Sequence, residues 1–322
     1  MLAYLRVRHP IKPLLARRPA GLFNFGYKVM AVNILNHAIR DMDSAFVGGF
    51  FGVVSLGLYN RAYTLMTTPM TNFVSVLQGV LFPAYSRLQE EDDTLKLGYL
   101  ATLGVVTLVS LPVFASVALV PRTVIEGLYG SQWLGAVPLL VPLALAMPFG
   151  AVTGIAGPLI WGKGQVGRDL RVETVVAVLF VVVLLATSKV SLVALAWGVF
   201  GVYALRAFLI TSAALLVVGG TWREVINALR GSFLVLAGAT LAVLGADQLL
   251  GLYDTAPFVR LLGDMLAGSA GALAMLTAFP RLVFSGEVIW ALTRVGHKLP
   301  PVLRHALKRA QPKGGGGSSG QV

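Results

Sequence analysis

Eight stretches of this chain are apolar and long enough to cross a bilayer, and that succession constrains the fold more than any motif does. They cover approximately residues 20–40, 53–86, 97–120, 135–161, 172–188, 191–218, 231–250 and 258–284, against the roughly 20 residues a helix needs to span about 30 Å of hydrocarbon. A backbone surrounded by lipid must satisfy its own hydrogen bonds, so such stretches become helices. With 56% hydrophobic and 12% charged residues, the expected fold class is an all-α, polytopic membrane bundle of about eight transmembrane helices. The second stretch exceeds what the bilayer requires and is expected to bend at Pro69. The fourth carries Pro138, Pro142, Pro148 and Pro158, which predict breaks or kinks.

The basic residues are unevenly placed around these spans. If the spans alternate direction, segments 1–19, 87–96, 162–171, 219–230 and 281–322 share one side and hold 19 of the 26 lysines and arginines. The opposite side holds Arg40, Arg122, Lys189 and Arg260, while Lys28, Arg61 and Arg206 fall within spans. Such asymmetry is the positive-inside signature, which predicts a multi-pass protein with both termini in the cytoplasm. It accounts for the net charge of +12 without a nucleic-acid partner. Residues 1–19 read as a cytoplasmic linker, 20–218 as a six-helix lobe, 219–284 as two additional helices, and 285–322 as a basic cytoplasmic tail. Within that tail, 287–309 either lies on the inner leaflet beside anionic lipid or is simply solvated. The Gly/Ser end is expected to have no fixed structure.

Little in the sequence suggests catalysis. There are no cysteines, which excludes thiolate metal sites and cysteine nucleophiles. His9, His37, His297 and His305 are too dispersed for a metal box. Gly48-Gly49 and Gly162-x-Gly164 are isolated and read as turns or close-packing points rather than nucleotide loops. Neither a cofactor nor enzymatic activity is expected.

What remains is a set of polar groups at membrane depth. Asn33, Asn36, His37 and Arg40 fall on one arc of about 100° on a helical projection. Polar side chains are costly in hydrocarbon, so this stripe should face protein or a watery cavity. Two readings of the intramembrane cations stand. In one, Lys28, Arg40, Arg61 and Arg206 bring positive potential to a cavity that holds an anionic group. In the other, Lys28 snorkels to the interface, Arg61 pairs with Asp41 or Asp43, and Arg206 satisfies itself on helix carbonyls. Tyr59 and Tyr63 lie one turn apart and share a face, available either for sugar stacking or for helix packing.

Residues Asn36-x(6)-Asp43-Ser-Ala-Phe-Val-Gly48-Gly-Phe-Phe-Gly52-x(4)-Gly57-Leu-Tyr59-Asn60-Arg61-Ala-Tyr63-x-Leu65-x(3)-Pro69, then Phe82-Pro-Ala-Tyr85-Ser-Arg87-Leu-Gln89, form a long ordered pattern. This pattern resembles the polysaccharide synthase, or lipopolysaccharide biosynthesis, family of lipid-linked oligosaccharide flippases. That family belongs to the multidrug, oligosaccharidyl-lipid and polysaccharide exporter superfamily. Leu128-Tyr-Gly-Ser-Gln-Trp133-x(4)-Pro138 and Gly162-Lys-Gly164 resemble later segments of it. The resemblance implies that the chain corresponds to the second lobe plus two extra helices of a two-lobe flippase. The first lobe would then be supplied elsewhere, in a longer chain or by a separate polypeptide, making this chain a truncated or half transporter.

The resemblance further implies a polyprenyl-pyrophosphate-linked repeat unit as substrate, moved from the cytoplasmic to the periplasmic leaflet. Asn33, Asn36 and Asn60 would meet sugar hydroxyls, with His37 on the same stripe. Tyr59 and Tyr63 would stack on sugars, and Arg40, Arg61 or Arg206 would meet phosphate. Polysaccharide assembly proteins and membrane lipid are the further partners implied. Asp41, Asp43 and Asp247 are the candidate proton or sodium carriers, each near a span end. Two alternatives remain: a non-transporting scaffold of the assembly machinery, and a drug or cation exporter, whose cavity should be acidic rather than basic.

Overall fold

A computed structural model describes residues 20–253, 255–294, 306–307 and 309–310. The expected linker at 1–19 and most of the tail beyond 294 lie outside the described residues. Ten α-helices follow in chain order: α1 Ala20–Arg87, α2 Asp92–Leu119, α3 Pro121–Tyr129, α4 Val137–Gly162 and α5 Val166–Thr187. They continue with α6 Leu192–Val218, α7 Trp222–Gly251, α8 Pro257–Ala278, α9 Pro280–Val283 and α10 Gly286–Arg294. A short 3₁₀ turn, Ser131–Ala136, leads into α4. Among the described residues there is no strand, and seven helices are long and apolar enough to cross a membrane. This is a multi-pass membrane protein.

Seven long helices accommodate eight hydrophobic stretches because the first two stretches share α1. At Gly52 the backbone leaves helical geometry, with φ 81° and ψ 177°, a region open essentially to glycine alone. There the helix folds back on itself. Tyr59 and Asp43, 16 residues apart, are 2.6 Å from each other through their side chains, whereas a straight helix would separate them by about 24 Å. A Cβ on Gly48 would sit 3.2 Å from the Leu56 side chain, so the arms approach closely beside the bend. The expected bend at Pro69 is absent from the dihedrals, which stay helical through Pro69 and Pro83.

The other boundaries follow local chemistry. Ser191 caps α6 by accepting from the Ala194 amide, and Gly219 ends that helix in the left-handed conformation, a common helix stop. Thr221 and Glu224 form a reciprocal capping box that starts α7, so this helix begins well before the apolar run at 231. Pro280 cannot continue α8, which ends at Ala278 rather than running to 284. The prolines of α4 do not break it: Val137–Gly162 is one helix.

The long helices pack through two apolar cores. One gathers Ile39, Tyr59, Leu139, Leu143, Phe180 and Val199 between α1, α4, α5 and α6. The second joins Val74, Tyr99, Leu103, Ile155 and Ala214 from α1, α2, α4 and α6. The α7–α8 pair leans on α2, and α10 lies against α2 as well. Val288 of α10 is buried in a third cluster with Phe284, Ala306 and Ala310, so this part of the tail packs on protein rather than lying free. Outside these contacts the helices present bare valine and leucine, including Val53, Val178, Leu216 and Leu241, as a lipid-facing surface should.

Candidate functional site

A cavity of about 490 Å³ opens between the two arms of α1, α4, α5 and α6. Asn33, Asn36, Arg40, Tyr63 and Arg206 line it, together with Thr67, Thr71, Ser75 and Gln78 of the second arm. Gln78 donates to the Gly154 carbonyl at 2.8 Å, and the Thr67 and Thr71 hydroxyls donate back to their own helix. Their remaining lone pairs stay free to accept.

At the inner wall a buried ion pair joins three helices. The Arg206 Nη2 and Nε donate to Glu173 Oε1 at 2.8 and 3.1 Å, and the same Nη2 donates to the Asn36 side-chain oxygen. Glu173 is 2% exposed and the Arg206 side chain 13%. The second Glu173 oxygen is buried without a hydrogen-bond partner among the described residues. One turn earlier on α5, Asp169 accepts from the Trp161 indole at 2.5 Å. Both carboxylates line the cavity.

The upper wall is a chain of hydroxyls. Tyr203 and Tyr63 lie 3.3 Å apart through their hydroxyls, and Tyr63 donates onward to the Arg40 carbonyl at 3.2 Å. That bond holds the α1 arms together. The Arg40 guanidinium makes no ion pair among the described residues, although the residue is exposed at the cavity edge. Arg40 is thus a guanidinium on the cavity lining without an ion-pair partner among the described residues.

The remaining candidate residues lie elsewhere. Tyr59 is fully buried, stacks on Tyr63 at 5.8 Å between centroids and is spent on Asp43. His37 is exposed beside a shallow apolar depression on the outer side of the first arm. Asn60 accepts from the Ser44 hydroxyl at 3.1 Å near the bend. Arg61 does not pair with Asp41 or Asp43; its guanidinium lies over the Trp133 and Tyr129 rings at 5.0 and 5.7 Å, a cation–π arrangement. The Lys28 amine reaches over Gly167 at the start of α5, outside the cavity lining. Among the carboxylates, Asp43 is 1% exposed.

Asp169, Glu173, Trp161 and Tyr203 escaped the sequence reading. The signal available was an i, i+4 carboxylate pair opening an apolar span, which calls for a cation inside the bundle. With them, two carboxylates and two guanidiniums share the cavity, and it is less one-sidedly basic than the spans alone suggest.

The fold and the cavity define a polytopic helical membrane protein built like a flippase. Its backbone superposes on the lipid II flippase MurJ in an inward closed conformation with a TM-score of 0.57 over 76% of this chain and 52% of that one, at 13% identity. Residues 1–138 match the family described as polysaccharide biosynthesis protein. The chain is 27% identical over 208 residues to the teichuronic acid biosynthesis protein TuaB of Bacillus subtilis, covering 64% of this chain and 43% of that protein. It is 23% identical over 157 residues to the lipopolysaccharide biosynthesis protein WzxC of Escherichia coli, covering 49% and 32%. The chain is similar to these polysaccharide biosynthesis proteins over part of its length. It matches less than half the length of either relative.

Proposed function

We propose that this chain forms one lobe, residues 20–218 with an added helix pair at 219–284, of a transporter that moves a lipid-linked oligosaccharide across the bacterial inner membrane. The arrangement of basic residues supports cytoplasmic termini, and movement from the cytoplasmic to the periplasmic leaflet is the direction that the family resemblance implies. A pyrophosphate and its sugars cannot cross hydrocarbon unaided, whereas a polyprenyl tail can stay in lipid. The observation that carries the reading is an intramembrane cavity lined by Asn33, Asn36 and an ion-pair-free Arg40. Arg40 would meet the phosphate, while the asparagines, Tyr63 and Arg206 would meet hydroxyls and hold the wall.

A cavity of this size holds a small ligand, so the head of a larger glycan would need the facing lobe to complete its path. In alternating access such a site lies where two halves meet. The test is complementation in a bacterium lacking its own oligosaccharide flippase, with this chain and a first-lobe partner produced together. Arg40→Ala should lower surface polysaccharide at unchanged chain abundance in the membrane; unaltered polymer would overturn the reading. Asp169 and Glu173 favour a second reading, export of cationic compounds. It expects drug sensitivity to change in the Asp169→Asn variant, which leaves the Arg206–Glu173 pair in place, while polysaccharide stays constant.

A further inference from the structure

A second polar cluster lies away from the cavity, where α7 and α8 meet α3. Asp264 stands seven residues into α8, about 10 Å from the helix start at 1.5 Å per residue. It is 2% exposed, and both of its carboxyl oxygens are buried without a hydrogen-bond donor among the described residues. Asp247, near the end of α7, faces it within side-chain hydrogen-bonding reach. Two carboxylates cannot hydrogen-bond to each other unless a proton lies between them.

The surrounding charges do not balance this pair. Arg260 donates from Nε to Asp247 Oδ1 at 2.7 Å and from Nη2 to the Asp247 carbonyl at 3.1 Å. Those donors are spent on Asp247, and a Cβ on Gly251 would already sit 3.2 Å from the same guanidinium. Thr123 of α3 donates to Asp247 Oδ1 at 3.4 Å. Arg122, the cation of α3, is turned outward to Glu126 at 3.3 Å with its side chain 71% exposed. Among the described residues, Arg260 pairs with Asp247 and Arg122 with Glu126, which leaves Asp264, the most buried of the three carboxylates, without an ion pair. A buried unpaired carboxylate is expensive and is relieved by a proton or a bound cation.

We propose that Asp247 and Asp264 form a monovalent-cation site between α7, α8 and α3, holding one proton or one sodium ion between the two carboxyl groups. The Thr123 hydroxyl supplies a further oxygen of the kind sodium accepts, and Arg260 fixes the Asp247 carboxyl in position. Asp264 carries the exchangeable positive charge. This assignment does not depend on what the cavity between α1 and α6 transports.

The full chain in lipid nanodiscs at neutral pH tests it, with sodium chloride or N-methylglucamine chloride as the added salt. For a proton, the infrared absorption of carboxylic acid groups in sodium-free buffer loses a component on Asp264→Asn. For sodium, the melting temperature of the parent chain rises with sodium chloride but not with N-methylglucamine chloride, and Asp264→Asn abolishes the difference. Asp92→Asn, at an exposed ion pair, serves as control and should change neither readout. Should Asp264→Asn not accumulate in membranes, Asp247→Asn is expected to show the same loss. An infrared spectrum unchanged by the substitution, together with a melting temperature that responds equally to both salts, would overturn the site.

Discussion

The Tyr59 hydroxyl donates to the buried Asp43 carboxylate at 2.6 Å across a helix reversal. Asp43 Oδ1 also accepts from the Ser44 amide at 2.7 Å. The reversal is thereby held by a polar bond placed among apolar side chains. Tyr59→Phe removes one donor and leaves part of the carboxylate unsatisfied. It should destabilise the protein by about 1–3 kcal/mol, read as a lower melting temperature in detergent, while Tyr59→Trp, too large for the site, should be worse.

Gly52 permits the same reversal through its backbone alone. With φ at 81° and ψ at 177°, Gly52→Val should cost on the order of 1–3 kcal/mol and open the angle between the arms. The chain has no native cysteine, so Ser44→Cys with Asn60→Cys gives a clean pair for a short bifunctional crosslinker. Crosslinking should be efficient with Gly52 and fall when valine replaces it.

Breaking the Arg206–Glu173 pair should cost far more than deleting it whole. Glu173→Leu or Arg206→Met alone leaves a buried charge unpartnered, for which a loss of about 3–5 kcal/mol is expected. The double variant Glu173→Leu with Arg206→Met should recover most of the stability. A double-mutant cycle from thermal melting measures the coupling, and additive losses would contradict an ion pair at this position.

Arg61 and Arg40 should separate stability from transport. Arg61 rests on Trp133 and Tyr129, so Arg61→Ala should cost roughly 0.5–1 kcal/mol and leave polysaccharide export near the parent level. Arg40→Ala should do the reverse, with melting unchanged and export reduced. Equal effects in both assays would remove the distinction.

At Gly231, an added Cβ would lie 1.8 Å from the Val283 carbonyl oxygen. Gly231→Ala must therefore push α9 away from α7, with an expected cost of about 1–3 kcal/mol for overpacking. Faster proteolysis between residues 279 and 286 in the variant would report that separation.

The membrane class and the helix-rich order were legible because hydropathy has a long reach and reads without tertiary context. The stripe of Asn33, Asn36 and Arg40 was legible for the same reason, since helical periodicity alone puts these residues on one side. Its neighbours across the cavity were not. Glu173 and Arg206 are 33 residues apart on different helices, and no local pattern ties one to the other. The reversal at Gly52 was hidden by its flanks, which form helix on both sides and leave only one residue to turn the chain. Arg61 takes neither of the places the sequence left open, cavity or carboxylate, because its guanidinium rests on Tyr129 at the end of α3 and on Trp133 in the turn after it. Of the two roles that spacing left open to Tyr59, sugar stacking and helix packing, burial gives it the second.

One guanidinium, Arg206, fastens the first arm of α1 to α5 while belonging to α6. Three helices clasped at a shared point move as a single plate and resist sliding past one another. Any opening and shutting of the hollow must then carry all three together or part that shared contact.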